Sequence, residues 1–192
     1  MLVLARTLSI LGHPLLLLPA AALLAMSAAG EREALGPAAL AFALFGVAIL
    51  GWSWWQVRRA RWRHVDASAR GERRSLNRVL LWALLVGTVV AWYVDGIALA
   101  RGLAGSCTVL LAASLSARWC TLSLHVAFAV LAAALLWAVS AWWAVAAIGF
   151  AAALAWSRLA LKRHVPRDLV AGAAAGAGAG ALFWWLQRGG PY

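Results

Sequence analysis

The sequence predicts a polytopic all-α fold, a bundle of about six to seven transmembrane helices. Three observations carry that expectation. Of the 192 residues, 65% are hydrophobic and only six are acidic, a balance that no water-facing surface calls for. Apolar runs of helix length recur from one end of the chain to the other. The 17 lysines and arginines stand mostly in the short stretches between those runs. A formal net charge of +11 would suggest nucleic acid in a soluble protein. Here membrane orientation and anion binding explain it, so no nucleic-acid partner is expected.

Seven apolar segments are expected, forming a single integral-membrane domain over residues 1–192. The first, 8–29, follows Arg6 and ends in small residues, as a cleavable leader would. It is longer than a leader's core and further spans follow, so it reads as a retained span. The second covers 37–57, and the third, 79–100, follows a long basic stretch. Gly102 and Gly105 mark a turn before the fourth, 103–117. The fifth and sixth, 122–140 and 141–156, meet without a charged linker. The fourth and sixth fall short of the roughly 20 residues a crossing takes, which slight tilt or locally thinned lipid accommodates. The seventh, 169–187, carries Gly172, Gly176 and Gly180 at four-residue spacing. Such a face admits a neighbouring helix closely, inside the bundle by preference or between copies in a homo-oligomer.

Parity then sorts the connections. With seven spans, the stretches 58–78, 118–121 and 157–168 lie on one face together with Arg6. They hold nearly all the cations, leaving Arg32, Arg101 and Arg188 on the other face. Tryptophans agree: Trp52, Trp54, Trp55, Trp82, Trp119 and Trp156 mark one interface, and Trp142, Trp143, Trp184 and Trp185 mark the other. The positive-inside rule puts the basic face in the cytoplasm of a cell (inner) membrane protein.

The most informative polar stretch runs from Ser157 to Asp168. It sets Arg158, Lys162, Arg163 and Arg167 beside His164, with a carboxylate four residues after the histidine. Cations hold an oxyanion, an imidazole attacks or shuttles protons, and a carboxylate fixes its tautomer: this is phosphate chemistry. Pro166 suits the first turn of a helix, which would put His164 and Asp168 on one face. At a membrane edge the phosphate belongs to a lipid. Other polar residues read as structural. His13 and His64 are among them, Arg58, Arg59 and Arg61 form a juxtamembrane cluster at anionic headgroups, and Asp95 snorkels or pairs with Arg101. Cys107 and Cys120 read as small buried hydrophobes, with neither metal-ligand spacing nor a disulfide framework.

Ser157-Arg158, five residues, His164, three residues and Asp168 resembles the third signature of the type 2 phosphatidic acid phosphatase family of membrane lipid phosphatases. Pro166 and Gly172 match residues often seen with it. Ser123-Leu124-His125 resembles the second signature, with leucine in place of its glycine. In the region of the first signature, Arg63 and Arg70 keep a seven-residue separation, and Arg70 with Arg73 resembles an Arg-x-x-Arg variant. The resemblance covers about 63–172. It implies a metal-independent, cofactor-free hydrolase in which His164 attacks phosphorus, Asp168 orients it, and His125 protonates the leaving lipid oxygen. It further implies that Arg158, Arg73, Arg70 and Ser123 hold the phosphate. The alternatives are a lipid phosphotransferase and a degenerate member that binds lipid phosphate or scaffolds partners. A transporter fits poorly, because the spans have almost no charge at mid-depth.

Overall fold

The computed structural model describes residues 1–65, 67, 69–94 and 96–188. Asp66, Asp95 and the side chain of Arg70 lie outside the described residues, and with them the expected Arg70 phosphate clamp and the Asp95–Arg101 pair. Among the described residues eight helices follow one another: α1 (Leu2–Leu11), α2 (Pro14–Ala28), α3 (Arg32–Arg58), α4 (Arg70–Tyr93), α5 (Ile97–Ser116), α6 (Leu124–Leu136), α7 (Ala141–Ala160) and α8 (Pro166–Arg188). No strand occurs among the described residues. Five helices are long and apolar enough to cross a membrane, six if α1 and α2 count as one bent span. The protein is a membrane-embedded helical bundle.

The first span begins earlier than expected and is broken. Pro14 has no N–H and disfavours a helical residue before it. His13 accordingly takes an extended conformation and becomes the N-cap of α2, and the two helices meet at 53°. The break is pinned from outside, since a Cβ on Gly12 would stand 2.7 Å from the Leu154 methyls of α7.

The segment lengths expected in the second half need correcting. Gly102 and Gly105 do not form a turn; they lie inside α5, which runs for 20 residues. Gly105 is buried there, and a Cβ on it would meet the Ala179 carbonyl of α8 at 3.4 Å, so the missing side chain serves helix packing. The third span stops at Tyr93, not near residue 100, and α7 is also 20 residues long. The short helix is α6, with 13 residues. At 1.5 Å per residue it spans about 20 Å, against a hydrocarbon core of about 30 Å. It tolerates this because it is the central pillar: α2, α5, α7 and α8 all pack on it, and residues 126–129 are buried all round the helix. A helix wrapped by protein need not match the lipid.

Around that pillar, α1 packs on α7, α4 on α5 and α3 on α2. Leu110, Leu131, Phe128 and Ala179 form the core where α5, α6 and α8 meet. The glycine stripe of α8 faces α6, the intramolecular use preferred for it: a Cβ on Gly172 would meet the Ser123 carbonyl at 2.7 Å, and one on Gly180 the Ala134 Cβ at 2.6 Å. At Gly176 it would run into the Ala127 carbonyl, whereas at Gly178 it would meet open space. Gly176→Ala is therefore expected to destabilise the bundle by about 1–3 kcal/mol through overpacking. Gly178→Ala is expected to leave the unfolding temperature in detergent unchanged or slightly raised. Equal effects of the two substitutions would contradict this packing.

Candidate active site

Two turns and a helix break converge at the basic end of the bundle. The first turn follows α7. Lys162 takes a left-handed conformation (φ 53°). Its N–H bonds to the Leu159 carbonyl at 2.9 Å, and the Arg163 N–H bonds to the Arg158 carbonyl at 3.0 Å. This pair of bonds closes a helix C-terminus and reverses the chain within a few residues. A lysine rather than a glycine in that conformation costs about 1–2 kcal/mol. The chain re-enters α8 at Pro166, which is pre-set for a first helical turn. Asp168 then sits one turn after His164, and Nδ1 of His164 lies 3.4 Å from its Oδ2.

The second turn precedes α6 and is bonded to the same aspartate. The Thr121 N–H donates to Oδ1 of Asp168 at 3.1 Å, and the Ser123 N–H donates to the Asp168 backbone carbonyl at 3.0 Å. Gly172 lets the two elements come this close, because any side chain there would strike the Ser123 carbonyl. His164 and His125 both line one cavity. Asp168 itself is buried, and Nε of Arg167 lies 3.8 Å from its Oδ1.

The third element was missed by sequence reading: the broken first span. The Ser157 hydroxyl donates to the Ala5 carbonyl at 2.6 Å, and Nη1 of Arg158 donates to the Ser9 hydroxyl at 2.8 Å. The Ser157 of the motif is thus a fully buried anchor for α1. His13, read as structural, does cap α2, its Nδ1 accepting from the Leu15 N–H at 3.3 Å. It also packs edge-to-face on His125, ring centroids 5.4 Å apart. The one signal in the sequence was a polar pair, Ser9 and His13, in an otherwise apolar run that contains Gly12 and Pro14.

The cavity has a volume of about 3150 Å³. Its basic rim includes Arg6, Arg73, Arg118, Arg158, Lys162 and Arg163, with His125 and His164 among them. Arg73 is close enough to bear on the charge of His164. From the rim the cavity runs along apolar faces such as Pro19, Phe42, Phe45, Leu84, Leu103 and Phe128, towards Glu31 and Arg32 at the far end. Of the phosphate-binding residues expected, Arg158 and Arg73 line it. Ser123 does not: its hydroxyl is buried at the foot of α6 and has no hydrogen-bond partner among the described residues. Leu124, in the place of the glycine, packs against the central core. No group of three or more His, Cys, Asp or Glu side chains is placed to hold a metal among the described residues.

Residues 103–190 match the family model described as the PAP2 superfamily, a stretch that takes in His125, Arg158, His164 and Asp168 and leaves out α1 to α4. No curated protein and no solved structure matches the chain.

Burial, together with the Arg158 guanidinium, holds the His164 imidazole below its ordinary value of 6.5, although Asp168 pulls upward. A group so depressed is mostly neutral at pH 6.5 and gains its proton only at lower pH. The side-chain titration of His164, followed by NMR in micelles, is expected to show a midpoint below 6.5. Asp168→Asn, which removes the one upward influence, is expected to move it lower still. A midpoint above the ordinary value, or an upward move in that variant, would contradict this electrostatic picture.

Proposed function

We propose, from the match of residues 103–190 to the PAP2 superfamily model, that this chain is a membrane lipid phosphatase working through a phosphohistidine on His164. The superfamily is one of phosphatases acting on phosphate esters. The lipid specificity and the covalent step are our reading. One observation carries it: two imidazoles and a buried arginine stand among the cations lining a cavity whose remaining lining is mostly apolar. A headgroup phosphate would sit among Arg158, Arg73 and the neighbouring cations, with the tail between the α2–α3 and α4–α5 pairs. Each pair packs within itself, and α2 and α5 meet only slightly.

In this mechanism the His164 ring attacks phosphorus with the nitrogen that does not face Asp168. Asp168 keeps the proton on Nδ1 and stabilises the cation that develops as the N–P bond forms. His125 donates a proton to the departing lipid oxygen, then takes one from the water that hydrolyses the phosphohistidine. Arg158 and Arg73 balance the charge on the non-bridging oxygens. Arg70 belongs to the same proposal by its place in the first turn of α4. Ser123 would reach phosphate only after turning its side chain out of the core, so we assign its hydroxyl no contact. The substrate class is a phosphomonoester or diphosphate of a glycerolipid or polyprenol, and no step uses a metal. The excess of arginine at this end favours a cytoplasmic site in a cell membrane.

Phosphate release from a panel of lipid phosphates in mixed micelles tests the proposal. His164→Ala is expected to lose at least ~10³-fold in kcat, because nucleophile and intermediate vanish together. A chelator is expected to leave the wild-type rate unchanged. A folded His164→Ala protein with undiminished turnover would refute the assignment.

A further inference from the structure

The two histidines of the site are held differently. An imidazole on its own turns easily, because the torsion that sets its plane is broad. The plane of His164 is fixed by the carboxylate of Asp168. His125 has no such partner: among the described residues no hydrogen bond reaches its ring. The ring packed on it is that of His13, perpendicular at 88°. The titratable and charged groups that bear on His125 are Arg158, His13, His164 and Arg163.

His13 is itself well placed to hold another ring. Its Nδ1 is engaged by the Leu15 N–H, which fixes the imidazole relative to the axis of α2. The helix break that carries it is clamped to α7 by the Ser157–Ala5 and Arg158–Ser9 bonds and by Gly12 against Leu154. The same short segment therefore braces the arginine and one histidine of the site. It lies outside the stretch that matches the PAP2 superfamily.

We infer that His13 is the positioning residue for His125: it sets the plane of that imidazole, as Asp168 sets the plane of His164, and makes the broken first span a working part of the active site. This rests on the phosphatase reading above. A ring out of plane still occupies the pocket but presents its N–H off the line to the leaving oxygen. The loss should therefore fall on kcat and not on KM.

Capping and ring packing separate by substitution. Asparagine caps a helix as well as any residue but offers no aromatic ring, whereas phenylalanine offers the ring but no cap. His13→Asn is expected to keep the unfolding temperature and lose ~10–100-fold in kcat with KM unchanged. His13→Phe is expected to unfold at lower temperature and to recover most of the kcat lost in His13→Asn. Rates are taken per molecule eluting as the folded species, so that a partly unfolded variant is still scored. Wild-type kcat in His13→Asn, or an equal fall in kcat in both variants, overturns the inference and leaves His13 as a cap. A wild type that releases phosphate from none of the lipid phosphates sinks the phosphatase reading instead. Turnover in the wild type with an indifferent His13→Asn sinks this inference alone.

Discussion

The whole arrangement hangs on Asp168. Its carboxylate takes the Thr121 N–H with one oxygen and faces the His164 ring with the other, and its backbone carbonyl takes the Ser123 N–H. One buried residue thus joins the turn after α7 to the turn before α6. An ionised carboxylate in so buried a place would be costly unless well paired, and hydrogen bonds from backbone N–H groups are among the stronger ways to pair it. The bond between Ser123 and Asp168 needs α6 and α8 almost in contact at that end. Glycines at 172, 176 and 180 allow it. Packing along a helix face and chemistry at its end are therefore one constraint.

The second consequence concerns shape. The short α6 stays the common core on which α2, α5, α7 and α8 pack. The cavity is lined by residues of α2, α3, α4 and α5 together with His125 and Phe128 of α6. Its lining is cationic in part and otherwise mostly apolar, which suits an amphiphile better than a free phosphate ester. The exposed apolar faces of α3 and α4, with Leu40, Leu44, Val86 and Val89 on the outside, are what lipid contact would leave.

How much of this was legible in the sequence depended on how local each signal was. His164, Pro166 and Asp168 form a pattern within one helix start, where spacing alone sets which side chains meet, and the structure has them as expected. His125 was expected at the site from the likeness of Ser123-Leu124-His125 to the second signature, and it lines the same cavity as His164. The span boundaries around Gly102 and Gly105 were misjudged because a glycine pair looks alike in a turn and in a helix; at Gly105 the neighbours are Leu131 and Ala179, distant in the chain. Ser123 was expected at the phosphate, and its burial follows from α8 pressing on its carbonyl, which no local pattern reveals. His13 read only as structural. Its contact with His125 was not legible, because it depends on how the first span leans on α7.

The central claim is that a bond forms between His164 and phosphorus. Acid-labile, alkali-stable labelling of the protein by a lipid substrate carrying radioactive phosphate, quenched during turnover and mapped by peptide, tests it most directly. The account predicts label on the peptide containing His164, absent when that residue is replaced. Rapid turnover with no trapped label, or label on a peptide containing His125 or another residue, would contradict it.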